Sequence, residues 1–156
     1  MTSLFLTRSS ACIKKKIDQY ERKNADESVF IFNVTMQNHG GYSQSTLKGY
    51  EPDVKLNYET EYPEAQTYLS LARESDKAFQ NLVEYFEKVD EPTMIVMFGD
   101  HWPKLEEGFL AEVLGKDREK LDLFESQVTY TTPYVIWTNY SSETAEEDIS
   151  ANYLGS

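Results

Sequence analysis

The sequence is poor in cysteine, in basic residues and in long apolar runs. Its single cysteine, Cys12, excludes an internal disulfide framework and any cysteine-based zinc site. Lysine and arginine number 15 against 27 acidic residues, and the net charge of −12 argues against nucleic acid or an anionic membrane surface as a partner. No apolar run approaches the roughly 20 residues that span a bilayer. Residues 1–6 lack a basic region and are too short for a signal peptide. We therefore expect any membrane anchor or export signal to lie outside this chain.

The remaining composition indicates one globular domain. A length of 156 residues, with 40% hydrophobic and 13% aromatic residues, suits a single domain with a real core. Residues 1–9 show no periodic pattern, so we place the domain over residues 10–156. Helices and strands alternate in the predicted order, which is typical of an α/β layer with a mostly parallel sheet and flanking helices. Three strands are few for such a sheet, and this favours missed short strands or a piece of a larger domain.

The predicted elements follow from hydrophobic period, capping residues and breakers. In order, they are a helix from Ser10 to about Asn24, a strand over 29–35, a helix over 63–86, a strand over 94–98, a helix from Pro103 to Gly115, a helical turn around Leu121 and Phe124, a strand over 134–137, and the opening of a helix over 149–154. The continuous apolar runs predict that strand 29–35 is central and that strand 94–98 is buried on both faces. Asp76 falls on the apolar stripe of the long helix, and a carboxylate buried there would need a hydrogen-bonding partner.

The sequence Gly99-Asp100-His101 follows directly on the apolar run 94–98. Adjacent side chains on a strand point to opposite faces, so both could reach one ion only where the backbone turns sharply, as a glycine permits. Open α/β sheets place their sites at the carboxyl ends of strands. A metal pair is one interpretation, and a plain turn with a surface Asp and His is the other. Trp102 could wall such a site or simply pack.

The second histidine, His39, lies in a similar place. The loop 37–42 (QNHGGY) follows the predicted strand 29–35, and its two glycines let the backbone approach another group closely. If the two strands are neighbours, both histidines of the chain face one crevice. That coincidence favours a functional site over two unrelated turns.

These loops also carry a resemblance to a known family. Residues 32–42 (FNVTMQNHGGY), 95–101 (IVMFGDH), 130–137 (YTTPYVIW) and 148–154 (DISANYL) resemble the sulfatase-type domain of the lipoteichoic acid synthase family, within the alkaline phosphatase superfamily. The likeness runs from about Ile13 to the end of the chain, in the same order. It implies a partial alkaline phosphatase/sulfatase-like α/β domain.

The resemblance also implies an activity and a location. Enzymes of this kind use a divalent metal at the outer face of a Gram-positive-type membrane. They transfer glycerol phosphate from phosphatidylglycerol, or hydrolyse related phosphate or sulfate esters, through a covalent intermediate on a threonine. By position, Asp100 and His101 match two metal ligands, and His39 matches a histidine that contacts the substrate's phosphate. Carboxylate and imidazole suit Mn²⁺, our first expectation, and also Mg²⁺ or Zn²⁺.

The chain departs from that pattern at its beginning. In the family, the threonine nucleophile and an acidic ligand precede the strand that 29–35 represents. Thr2 and Thr7 lie in an unpatterned stretch and are poor candidates. We therefore expect the C-terminal part of a sulfatase-like domain, truncated at both ends, inactive alone, and prone to self-association through uncovered strand edges. The alternatives are a non-catalytic binding or scaffold domain that uses the tyrosine-rich 42–62 loop, and an unrelated α/β domain.

Overall fold

The computed structural model describes residues 13–154, so the predicted helix start at Ser10 and the segment 1–9 lie outside the described residues. Helix α1 is described over residues 13–21. The other regular elements are α2 (Pro63–Phe86), β1 (Met94–Phe98), α3 (Glu107–Leu114), α4 (Leu123–Gln127) and β2 (Tyr134–Thr138), with 3₁₀ turns at Arg118–Lys120, Val128–Tyr130 and Ala151–Tyr153. None of the helices in this part of the chain combines the length and the apolar character needed to cross a membrane.

Helix α2 is the longest element, and its predicted bounds are confirmed. Pro63 occupies the first turn, where its missing N–H costs nothing. The apolar stripe buries Ala65, Leu71 and Phe86 along the length of the helix. The prediction that Asp76 needs a partner is wrong, because its side chain is exposed. The loop that covers the helix at this level contacts the neighbouring Ser75 instead.

The core gathers around the N-terminal half of α2. It contains Tyr42, Tyr62, Ala65, Leu71, Leu105 and Phe109. The loop 42–62 wraps this half of the helix, and its tyrosines make edge-to-face contacts there, such as Tyr42 with Tyr68 at 5.5 Å between ring centroids. Such pairs add to the stabilisation that comes from burying the rings. Aromatic packing therefore orders a long loop that has no regular secondary structure.

The described strands form one antiparallel pair, β1 with β2. The α/β class holds, but the expectation of a mostly parallel sheet is not confirmed, because after α3 and α4 the chain re-enters the sheet beside β1 in the opposite direction. The expectation that 94–98 is buried on both faces is wrong. Four of its five residues are exposed, since no described helix packs extensively across either face of the pair.

The predicted central strand over 29–35 is also wrong for the described structure. This segment is neither a helix nor a paired strand, and most of its side chains are exposed. Phe30 is 90% exposed and Phe32 is 65% exposed. A strand requires a partner for its backbone groups, and the described residues provide no ladder for this one. The segment is apolar, as its sequence shows, but it does not form a strand in the core.

Helix α3 begins at Glu107 rather than at Pro103 and ends at Leu114. Gly115 follows it with φ of 72° in the left-handed region, which confirms the predicted stop. The helical turn predicted near Phe124 is α4. It begins with a capping box in which Asp122 and Glu125 each bind the other's backbone N–H.

Candidate functional site

The candidate metal pair lies at the end of β1, where the chain is fixed to the start of β2. The Gly99 N–H donates to the Pro133 carbonyl at 3.1 Å. The Thr132 hydroxyl donates to the Gly99 carbonyl at 2.8 Å. Gly99 does not have a positive φ, and an added Cβ would lie 3.4 Å from Thr132. The turn therefore does not depend on the special conformations of glycine, contrary to our expectation.

Asp100 and His101 turn toward each other immediately after this anchor. One oxygen of Asp100, Oδ1, accepts the His101 backbone N–H at 2.9 Å. The other, Oδ2, lies 3.7 Å from His101 Nε2, and the two side chains are 82% and 67% exposed, respectively. The sharp turn expected from the sequence is thus present. It brings a carboxylate oxygen and an imidazole nitrogen close together at an exposed position.

The tautomer of His101 is set by its neighbour. Its Nδ1 lies 2.8 Å from the Trp102 carbonyl. A carbonyl oxygen only accepts, so Nδ1 is the nitrogen that carries a proton in this contact, and Nε2 is the ring nitrogen that faces Asp100. Histidines that bind metals commonly donate their other N–H to a backbone carbonyl in this way.

The separation of the two side-chain atoms is compatible with both binding one divalent cation. Atoms bound to one ion at about 2.0–2.2 Å are separated by roughly 3–4 Å, and the 3.7 Å between Asp100 Oδ2 and His101 Nε2 falls in that range. Within residues 13–154, no group of three or more His, Cys, Asp or Glu side chains is arranged to hold a metal. Among the described residues, this turn therefore brings together two potential ligand atoms and no complete metal site.

Trp102 helps to hold this turn in place. Its indole N–H donates to the Thr131 carbonyl at 2.6 Å, and the residue is half-buried. Thr132 also donates to the Gly99 carbonyl, so two consecutive threonines just before β2 hold the turn. Sequence reasoning missed both threonines as site supports, although they stand inside the motif 130–137 that carried the resemblance.

His39 lies in a turn in which its N–H donates to the Met36 carbonyl at 3.3 Å. Its side chain is exposed. In the described residues, no hydrogen bond or ion pair joins it to the candidate metal pair. The structure brings Asp100 and His101 together and leaves His39 on a separate loop.

That loop is nevertheless firmly attached to α2. The Ser75 hydroxyl donates to the Asn38 side-chain oxygen at 3.1 Å, and the Tyr42 hydroxyl donates to the Asn38 carbonyl at 2.7 Å. Burial, together with Tyr68 nearby, raises the pKa of Tyr42 to about 12. Gly41 has φ of 98°, and an added Cβ would lie 2.8 Å from Thr46, so the sequence correctly indicated a glycine requirement here.

The tyrosines of the 42–62 loop pack mainly on the core and on α2 rather than standing free in solvent. Tyr42 and Tyr62 are buried, Tyr50 is half-buried against the same core, and Tyr58 is partly exposed while packing on Phe109. The rings serve mainly to attach the loop to α2.

The chain belongs to the sulfatase family, whose model matches residues 6–156. A relative from Rhizobium meliloti (strain 1021), named "Putative cyclic beta-1,2-glucan modification protein", is 28% identical over 124 residues, which are 73% of this chain and 18% of that protein. The "Capsular polysaccharide biosynthesis protein RkpI" of the same organism is 29% identical over 87 residues, 56% of this chain and 14% of that protein. The chain thus spans less than a fifth of either relative. No solved structure matches it significantly.

Proposed function

We propose that this chain is part of a metal-dependent enzyme that acts on a phosphate or sulfate ester of a bacterial polysaccharide. Asp100 and His101 are the proposed metal ligands, and His39 is the proposed substrate contact. The observation that carries the proposal is the approach of Asp100 Oδ2 to Nε2 of His101 at 3.7 Å. Membership of the sulfatase family supports ester chemistry. The names of both relatives support a polysaccharide as the substrate class.

The proposed roles follow from the chemistry of the side chains. A bound divalent ion supplies Lewis acidity toward an ester oxygen. Asp100 contributes the negative charge that holds such an ion, and His101 contributes a neutral nitrogen whose orientation Trp102 fixes. His39, exposed on its anchored loop, can donate a hydrogen bond to non-bridging oxygens on which charge develops. We propose Mn²⁺ first, with Mg²⁺ or Zn²⁺ as alternatives.

A narrower form of the proposal follows the lipoteichoic acid synthase-like motifs. In that form, the enzyme transfers glycerol phosphate from phosphatidylglycerol, through a threonine intermediate, in a catalytic domain outside the cell membrane. We propose that the threonine and an acidic ligand come from a part of the domain other than residues 10–156. The chain alone is then expected to bind metal weakly and to show no turnover.

The proposal is tested by titrating Mn²⁺ into the chain by calorimetry. We expect saturable binding that disappears in the double variant D100A/H101A. D76A is the matched control, because it removes an equal carboxylate from an exposed position on α2, and it should bind as the parent does. H39A should also retain metal binding.

Two results would count against the proposal. Equal Mn²⁺ binding by the parent and the double variant would mean that the ion occupies other carboxylates of this acidic chain. Absence of binding in every protein would favour the alternative of a non-catalytic domain. Nitrogen NMR of His101 adds an independent readout, since Mn²⁺ should broaden Nε2 before Nδ1.

A further inference from the structure

A cavity of about 400 Å³ lies between the 42–55 loop and the first turns of α2. This volume is within the usual range for small-molecule sites. Tyr42, Pro52 and Pro63 are among the residues that line it, and all three carry rings. The tyrosine ring is buried while the proline rings are half-buried and exposed, respectively. The cavity therefore offers a firm apolar wall that is reachable from solvent.

Polar side chains surround this wall. Gln44, Lys55, Glu64 and Gln66 all line the cavity. The side chains of Lys55, Glu64 and Gln66 have no hydrogen bond or ion pair within residues 13–154, so their donors and acceptors are free for a ligand. Gln44 is already used, because its amide donates to the Tyr50 carbonyl at 3.0 Å. The free set comprises an ammonium, a carboxylate and an amide.

The charges in the cavity select against an anion. Lys55 and Glu64 carry opposite formal charges, so the residues that line the cavity have no net charge. The start of a helix usually attracts anions through its free N–H groups. Here the N–H groups of Glu64 and Ala65 donate to the two carboxylate oxygens of Glu106, at 2.7 and 3.1 Å. The helix dipole is thus already neutralised, and a phosphate would find no free positive end.

An apolar wall with a neutral, hydrogen-bonding rim matches the chemistry of a sugar ring. The C–H face of the ring can pack against proline carbons, while its hydroxyls both donate and accept. A purely apolar ligand would leave these polar side chains to water and gain nothing from them. The charged ligands are disfavoured by the balance of Lys55 and Glu64. A neutral polyol satisfies both parts of the cavity.

The cavity is also close to the candidate site along the chain. Glu106, which binds the first turn of α2, is five residues after His101, a span of at most about 18 Å. Tyr42 is three residues after His39, a span of at most about 11 Å. A glycan held in the cavity could therefore extend to both.

We propose that this cavity binds a neutral sugar unit of the polysaccharide on which the enzyme acts. The identity of the ligand as a polysaccharide rests on the proposed function. The binding site itself rests on the cavity, its free polar rim and the neutralised helix start. Lys55 and Gln66 are the residues that recognise hydroxyls.

The test is a titration of the isotope-labelled chain with sophorose, the β-1,2-linked glucose disaccharide, followed by amide chemical shifts. We expect saturable shifts confined to residues 42–44, 52–55 and 63–67. K55A and Q66A should each weaken binding by about three- to tenfold, the effect of one hydrogen bond. Q80A, an exposed glutamine farther along the same helix, is the matched control and should bind normally.

Three outcomes would overturn the proposal: shifts that do not saturate, shifts that map elsewhere, and displacement of sophorose by inorganic phosphate. The double variant D100A/H101A separates this proposal from the metal proposal. Sophorose binding that persists in that variant supports the sugar site even if Mn²⁺ does not bind. Mn²⁺ binding without sophorose binding would remove the sugar site and leave the metal pair standing.

Discussion

The Glu106 carboxylate binds the backbone of Ala65, with Oε2 accepting its N–H at 3.1 Å, and Oε1 accepts the preceding N–H at 2.7 Å. Glu106 is itself the residue that precedes α3, yet it caps the start of α2. The side chain of Tyr62, the residue before α2, makes no capping hydrogen bond. The start of the longest helix therefore depends on a residue 41 positions away.

We predict that E106A destabilises the fold by about 1–2 kcal/mol, because it leaves two helix N–H groups of α2 without their acceptor. E106Q should lose less, since the amide keeps one accepting oxygen. Urea unfolding measures both, and E112A, an exposed glutamate in α3, is the matched control. Equal midpoints for E106A and E112A would contradict the prediction.

Asn139 closes the connection between α2 and β1. Its side-chain N–H groups donate to the carbonyls of Phe86, Val89 and Glu91, at 2.9–3.1 Å, while its oxygen accepts the Thr93 N–H at 2.8 Å. We predict that N139A costs about 2–3 kcal/mol by leaving these groups unpaired.

N139D should be at least as destabilising as N139A, because a carboxylate cannot donate and would face three carbonyl oxygens. Thermal unfolding compares the two with N57A, a change at an exposed asparagine. A higher melting temperature for N139D than for N139A would show that the donated bonds carry little energy.

Stability should fall in alkaline solution as Tyr42 ionises. Its folded pKa is raised from 10.0 to about 12, chiefly by burial. A raised pKa means that the protonated form is stabilised by folding, so this contribution is complete below pH 10 and is lost between pH 10 and about 12. Only the protonated hydroxyl can donate to Asn38.

Y42F should therefore lose about 1 kcal/mol at neutral pH and show a weaker decline above pH 10 than the parent. Chemical unfolding at a series of pH values measures this. Y130F changes an exposed tyrosine and should follow the parent curve. A Y42F curve parallel to the parent would assign the alkaline loss to other tyrosines, such as Tyr20, whose pKa burial also raises to about 12.

Self-association through uncovered strand edges remains a prediction, and we extend it to the exposed apolar segment around Phe30. Phe30 and Phe32 are largely exposed, so the double variant F30S/F32S should change the free energy of unfolding by no more than about 0.5 kcal/mol. It should reduce the association seen by sedimentation velocity at high concentration. L71A, at a fully buried position, should instead cost about 2–5 kcal/mol. A parent chain that stays monomeric throughout would contradict the prediction.

The local sequence pattern predicted where most helices and strands lie, but not which other segments they pair or pack with. The bounds of α2 could be predicted because its stripe and Pro63 act within the helix itself. The segment 29–35 has an equally clear apolar pattern, yet whether it becomes a strand depends on a partner elsewhere in the chain. Helix α3 begins later than Pro103, and Leu105, which lies before the helix, is buried in the core; such packing is a tertiary contact that the local pattern does not contain.

The candidate site was predictable to the same degree. The sequence correctly placed Asp100 and His101 at a turn after a strand, because an apolar run ending before polar residues is a local pattern. It could not reveal that Trp102 sets the tautomer of His101, which depends on a side-chain rotamer. The supports from Thr131 and Thr132 come from the segment just before β2, which is distant in sequence. The role of the pair as metal ligands remains a prediction.

The apolar character of both faces of the β1–β2 pair leaves the alignment of the two strands without its usual safeguard. In a half-buried sheet, a slip by one residue would put the apolar set into water, but here both faces are alike and a slip would change little. The alignment is instead pinned at its two ends, by Asn139 with Thr93 and by Thr132 with Gly99. Without the Thr132–Gly99 bond, the register of the two strands would be less firmly fixed. A change of register would then alter the positions of Asp100 and His101 relative to each other.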